Sequence, residues 1–294
     1  MHTLYETPDG RKFTTQKELD EQYDIEATVP PEQLAELGAQ FVGDSARARD
    51  ELDAVLDIPY GPTLAERLDV FPGEPGGPVV VFIHGGYWRL NSRKSFSFMA
   101  RGLVGRGATM VIPSYALCPT VSLDEIVRQQ RAAVAWTYRH AAEFGADPER
   151  LIVSGHSAGG HATAVLLDTD WAGVYGLPED TIRGGCAISG LFDIRPLRNT
   201  FLQPSLQLTG DQVIKYSPIL DLPASAPPLL VTHGGRQTDE FDRQSKGFYD
   251  AWIAAGLTGD YYLQADKNHF DELFAFASPD SELIDRIMEL SSRN

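Results

Sequence analysis

The sequence predicts an α/β fold, a mostly parallel, doubly wound sheet with helices on both faces and a helical N-terminal extension. Three observations lead there. Short apolar runs alternate with amphipathic helical stretches through residues 61–294, and several of the runs are apolar on both faces. Such strands belong in a sheet covered by helices on both sides. The length of 294 residues suits one large domain rather than two.

Residues 1–60 are polar and poor in strand signals, with helical patterns in PPEQLAELGAQFVG and SARARDELDAVL, and they read as a helical extension or cap. After Pro59-Tyr60-Gly61 the expected strands are RLDVF, PVVVFIHG, TMVIPSYA, LIVSGHS, GGCAISG, PLLVTHG and DYYLQA, in residues 61–294. Between Ser122 and Phe144, Leu123, Ile126, Val127, Val134, Tyr138 and Ala141 fall on one helical face, and Ser122 with Glu125 predicts a capping box at its start. SRKSFSFMARGLVGRG and DRQSKGFYDAWIAAG read as further crossover helices, and SPDSELIDRIMELSSR as a terminal one.

A net charge of −16 argues against nucleic acid or an anionic membrane as a partner, since the long-range field repels both. A small molecule is the expected partner, and a homodimer is left open. Cys118 and Cys186 lie in apolar surroundings at no metal-ligand spacing, as buried thiols of a reducing compartment would. MHTLYETPDGRKF lacks the layout of a secretion signal and no apolar run reaches membrane-spanning length, so a cytoplasmic location is expected.

The chemistry concentrates in LIVSGHSAGG. A buried strand running through Gly155-His156-Ser157-Ala158-Gly159 into a small-residue helix is the layout of a nucleophile elbow, in which the flanking glycines allow the turn and Ser157 projects its hydroxyl. The bland alternative is a glycine-rich helix entry. Acyl transfer from serine also needs a base and donors for the oxyanion. His269, in the loop after the last expected strand, is the candidate base. His2 and His140 read as exposed, while His84, His156, His161 and His233 read as loop-bracing groups beside glycines. The turn His84-Gly85-Gly86-Tyr87-Trp88 offers the amides of Gly86 and Tyr87 as oxyanion donors, joined by that of Ala158. Trp88 and Tyr87 wall a substrate pocket or pack in the core; the sequence favours neither.

HGGYW, the distant SGHSAGGH, EFDRQS and NHF together resemble the arylformamidase (kynurenine formamidase) branch of the α/β-hydrolases, related to the hormone-sensitive-lipase-like esterases. Glu21-Gln22-Tyr23, Tyr60-Gly61 and Tyr216-Ser217-Pro218 extend the resemblance over most of the chain. It implies hydrolysis of a formamide, amide or ester through an acyl-serine, with no metal or organic cofactor. It also implies a triad carboxylate on the loop after PLLVTHG, four residues before the phenylalanine of EF-x-RQS, where this chain has Gln237. Glutamine can accept a hydrogen bond from the imidazole but offers it no charge, a loss that costs about ten-thousand-fold in a serine protease. Gln237 is expected to face His269, with Asp239 in reserve and Glu240 and Asp193 as further candidates. On that placement alone, Gln237→Asp or Gln237→Glu is expected to raise turnover. Two other readings stand beside the amidase: a short-chain carboxylesterase, and a catalytically silent ligand-binding relative that keeps the elbow as architecture.

Overall fold

Every residue of Pro78–Ile83, Thr109–Pro113, Gly184–Ile188 and Leu229–Gly234 is buried, which a continuous apolar run requires once it is extended. The computed structural model describes residues 3–292. His2 and Arg293, the last residue of the expected terminal helix, lie outside them. A small antiparallel pair, β1 (Tyr5–Glu6) and β2 (Lys12–Phe13), precedes an eight-stranded sheet. Its strands are β3 (Val55–Pro59), β4 (Arg67–Phe71), β5 (Pro78–Ile83), β6 (Thr109–Pro113), β7 (Asp147–His156), β8 (Gly184–Ile188), β9 (Leu229–Gly234) and β10 (Gly259–Gln264). They lie in the order β10-β9-β8-β7-β5-β6-β4-β3, parallel from β10 through β6 and antiparallel where β4 meets β6 and β3.

The alternation along β5 divides the core. Val79, Val81 and Ile83 belong to one apolar layer, while Val80 and Phe82 face the other, against Phe96 and Phe276. Parallel register then aligns the carboxyl ends of the central strands: Ile83 pairs with Gly155, His156 with Ile188, and Ile188 with Thr232. Loops leaving β5, β7, β8 and β9 therefore emerge side by side at one edge, the usual place for a ligand in such a sheet.

Three expectations are corrected locally. Helix Leu123–His140 forms, but Ser122 makes no side-chain cap, and Glu125 instead accepts from Arg128 and Gln129. SRKSFSFMARGLVGRG yields short 3-10 turns and a five-residue helix, Ala100–Val104, because Phe96, Phe98 and Met99 are all buried and leave no solvent face for an amphipathic helix. In the N-terminal segment one 21-residue helix, Pro31–Glu51, replaces the two expected, and the sheet already begins at Val55. β3 lacked a signal because it is an edge strand, largely exposed, with a register shift around Asp57 at φ 60°. Cys118 and Cys186 are buried and unpaired, and no helix among the described residues is long and apolar enough to cross a membrane.

Two glycines mark the extremes of tolerance. A Cβ on Gly159 would lie 1.9 Å from the Ile83 carbonyl oxygen, whereas one on Gly247, inside helix Asp239–Ala254, would meet nothing within 4 Å. Urea denaturation is expected to show Gly159→Ala destabilised by about 1–3 kcal/mol or more through forced strand separation. Gly247→Ala should be stabilised by about 0.5–1 kcal/mol through helix propensity.

Candidate active site

Ser157 takes φ 58°, ψ −116° between β7 and helix Ala158–Leu167, a conformation that costs an L-residue about 1–3 kcal/mol and persists only where packing over-determines it. Here the Ser157 amide donates to Ile188 O at 2.8 Å, and its carbonyl accepts from the His161 amide at 3.0 Å. Gly155 and Gly159 touch across the turn so closely that a Cβ on Gly155 would sit 2.1 Å from Gly159 O. Ala158, buried as the first residue of the helix, has an N–H with no acceptor inside the helix.

The turn after β5 is also left-handed, with Gly86 at φ 116°, Tyr87 at 47° and Trp88 at 53°. Among the described residues, the amides of Gly86 and Tyr87 have no protein acceptor. Gly85 lies against the elbow, where a Cβ would come within 2.8 Å of His156 O and 3.0 Å of Ser157 Cβ. The phenol of Tyr87 donates to Tyr23 O at 2.7 Å, tying this turn to the N-terminal segment. Trp88 does not line the cavity. It is fully buried edge-on against His161, so the core-packing alternative describes it.

A cavity of about 390 Å³ opens over these turns, and Ser157, His269, Gly86 and Tyr87 all line it. Its opposite wall comes from the N-terminal segment, including Leu34, Leu37 and Phe41, with Phe96, Phe201 and Phe270 from the main domain. Asp24, Glu26, Arg89 and Asn91 add polar groups.

His269 Nδ1 lies 2.8 Å from Gln237 Oε1. Gln237 turns its Nε2 to Ser189 Oγ at 2.7 Å and to Glu272 Oε2 at 3.3 Å. With a carboxylate on that side, the amide oxygen must face the imidazole, so Nδ1 carries the proton and Nε2 is the basic nitrogen. The three other carboxylates considered from sequence are engaged elsewhere, each with the N-terminal segment. Asp239 pairs with Arg11 at 3.1 Å, Glu240 accepts from the Tyr23 phenol at 2.9 Å, and Asp193 accepts from the Tyr5 phenol at 2.7 Å. Glu240 and Asp193 also hold Arg243 and Arg195. None of the three forms a hydrogen bond or ion pair with His269 among the described residues.

Sequence reasoning missed Glu272. It is fully buried in the 3-10 turn Asp271–Ala277, three residues after His269, and its Oε1 is 4.0 Å from His269 Nδ1. Ser189 Oγ donates to it at 2.6 Å and His156 Nε2 at 3.0 Å. The available signal was its i+3 spacing from the histidine. The bracing reading fits His84, which contacts Gly85 O at 2.9 Å, and His161, which contacts Tyr216 O at 2.8 Å. His156 instead points into the site, its ring centroid 4.5 Å from that of His269. His140 is only half-buried, stacked on Trp136.

The BD-FAE family model matches residues 71–170, the stretch that holds both turns. Kynurenine formamidase of Danio rerio is 32% identical over 232 residues, covering 76% of this chain and 77% of that protein. The chain belongs to the kynurenine formamidase family. Kynurenine formamidase of Salmo salar is 28% identical over 257 residues, 84% of this chain and 85% of that one. The crystal structure of a candidate thioesterase from Silicibacter sp. TM1040 is similar over 92% of this chain and 98% of that one, at 31% identity and a TM-score of 0.79. This family member is accordingly an α/β-hydrolase, and its chemistry is hydrolysis of an amide or ester.

Burial holds the His269 imidazole well below its ordinary pKa, and the neighbouring His156 and His233 push it the same way. A base whose pKa is lowered stays unprotonated to more acidic pH. The acidic limb of kcat/KM is therefore expected below the ordinary histidine value of about 6.5, with activity largely retained at pH 6. A pH–rate profile on a short p-nitrophenyl ester checks this.

Proposed function

We propose that this family member cleaves a small N-formyl or N-acyl aryl amine, with Ser157 as nucleophile, His269 as general base and then acid, and Gln237 orienting the imidazole. The observation that carries the reading is the shared cavity. Ser157 and His269 open onto one apolar, aryl-sized space beside two left-handed turns with free amides. The Ser157 oxygen attacks the carbonyl carbon as its proton passes to His269 Nε2. The resulting oxyanion is received by the amides of Gly86, Tyr87 and Ala158, where one such donor is worth roughly 3 kcal/mol. Collapse breaks the C–N bond, His269 returns the proton to the departing amine, and water then hydrolyses the acyl-serine by the same route.

The aryl preference is supported by Phe41, Phe96, Phe201 and Phe270 around the cavity, and the amide preference by the names of the formamidase relatives. Short carboxylic esters use the same machinery and form the second reading, favoured by the similarity to named esterases, such as LipQ of Mycobacterium tuberculosis at 27% identity. Helix Pro31–Glu51 acts as a cap in this proposal, since Leu34, Leu37 and Phe41 close the cavity that Ser157 lines, while β3 belongs to the sheet. The small molecule is the partner; the site is expected to work without a metal or organic cofactor.

Ser157→Ala should keep the fold and lose at least about a thousand-fold in turnover of both N-formylaniline and p-nitrophenyl acetate. His269→Ala should fall comparably, and the double variant should be scarcely worse than either single one, because nucleophile and base act as a unit. A fluorophosphonate should label Ser157 of the wild type. Turnover undiminished in Ser157→Ala, or labelling elsewhere, would reject the assignment. Ester turnover with no measurable formanilide hydrolysis would select the esterase reading.

A further inference from the structure

The triad position of this chain holds a neutral amide, yet the site is not without negative charge. Glu272 lies directly behind that amide, fully buried, and every polar side chain that meets it does so as a donor: Gln237 Nε2, Ser189 Oγ and His156 Nε2. Among the described residues no lysine or arginine forms an ion pair with it. A buried carboxylate needs such compensation, and here its only candidate cations are imidazoles of the site.

We infer that Glu272 is the displaced acid of this site, a positioning residue that supplies the charge of the missing triad carboxylate through Gln237. This rests on the serine-hydrolase reading above. The connection runs from His269 Nδ1–H to Gln237 Oε1, and from Gln237 Nε2–H to Glu272 Oε2, while Glu272 Oε1 lies 4.0 Å from Nδ1 through space. At that separation in a buried site, a negative charge favours the imidazolium that forms as Ser157 loses its proton. Gln237 fixes the tautomer and Glu272 provides the field, two tasks that a single aspartate performs elsewhere. Ser189, held at φ 47° beside the end of β8, braces the carboxylate from below.

The titratable groups facing His269 are His156 from the end of β7, His233 from β9 and Glu272 on its own turn. Because His156 shares the Glu272 carboxylate, the field at His269 is weaker than that of a directly bonded acid. The sequence-based expectation for Gln237→Glu changes accordingly. On its own it sets two carboxylates face to face across a gap that is now a 3.3 Å hydrogen bond, and like charges so placed hold a proton between them rather than both ionising. Gln237→Glu alone is therefore expected not to raise turnover, and only exchange of the amide and the carboxylate should keep it near the wild-type level.

The test compares wild type with Glu272→Gln, Gln237→Glu and the exchange Gln237→Glu/Glu272→Gln, using p-nitrophenyl acetate and N-formylaniline. Glu272→Gln should lower kcat about a hundred-fold with KM within about three-fold, since the lost charge matters only as the imidazolium forms. The exchange variant keeps the His269 Nδ1–H bond, now made to a carboxylate, and reverses the bond between residues 237 and 272. It should recover to at least about a third of wild-type kcat, and its acidic limb should lie at higher pH than that of Glu272→Gln, because a carboxylate now touches Nδ1 while His156 meets the same amide in both. Gln237→Glu alone should remain below the exchange variant.

Glu272→Gln with kcat within about three-fold of wild type overturns the inference. So does a loss that the exchange does not repair, or an acidic limb unmoved between the two variants, since either leaves Glu272 as a structural brace. If Glu272→Gln alone fails to fold, the exchange variant decides: kcat above about a tenth of wild type supports the inference and anything lower overturns it. Failure of the underlying reading looks different, because the wild type would then not take a fluorophosphonate at Ser157, and the inference would fall with it.

Discussion

The backbone at Ser157 is the constraint on which the rest of the site depends. A left-handed residue between a parallel strand and a helix is unfavourable by itself, and the fold pays for it by removing side chains wherever the turn meets its neighbours. Gly155 touches Gly159, Gly159 touches the end of β5, and Gly160 lies where a Cβ would meet Ile188 O at 2.7 Å. That compression brings the β5 turn, with its own left-handed Tyr87 and Trp88, against the Ser157 turn. Strain at one serine and free amides at the neighbouring turn are thus one packing solution.

The acidic residues of the chain divide into two populations near the sheet edge. Asp193, Glu240 and Asp239 hold the N-terminal segment through Tyr5, Tyr23 and Arg11. Glu272 instead faces inward to Gln237, Ser189 and His156. Their partners separate the two populations, since Asp193 and Glu240 are as buried as Glu272; only the pair at Asp239, whose side chain is 80% exposed, adds little energy and serves mainly to place the segment. Of these buried carboxylates, Glu272 is the one that lies within 4.0 Å of the His269 imidazole.

The central fold was legible because its strands are apolar on both faces, and the elbow because its glycines are forced. RLDVF and PLLVTHG became β4 and β9 with little change, and the placement of Gln237 opposite His269 followed from the family resemblance carried by the EFDRQS segment. What was not legible depended on packing between distant segments. β3 is an exposed edge strand with a bulge, so its pattern is weak. The capping box at Ser122 failed because Glu125 found Arg128 and Gln129, a competition that short-range spacing cannot weigh. Glu272 was hidden by the opposite circumstance. A glutamate in a turn usually faces water, and only the placement of Ser189, His156 and Gln237 around it marks it as internal.

The bond from the Tyr87 phenol to Tyr23 O joins the roof of the cavity to the turn with the free amides. Tyr23 is at the same time fixed through Glu240 to the helix that follows Gln237. Roof and floor therefore share a single mechanical frame and cannot be exchanged as separate modules. Grafting a different N-terminal segment onto this scaffold would disturb the amide geometry in the same stroke, because the Tyr87 phenol bonds to that segment.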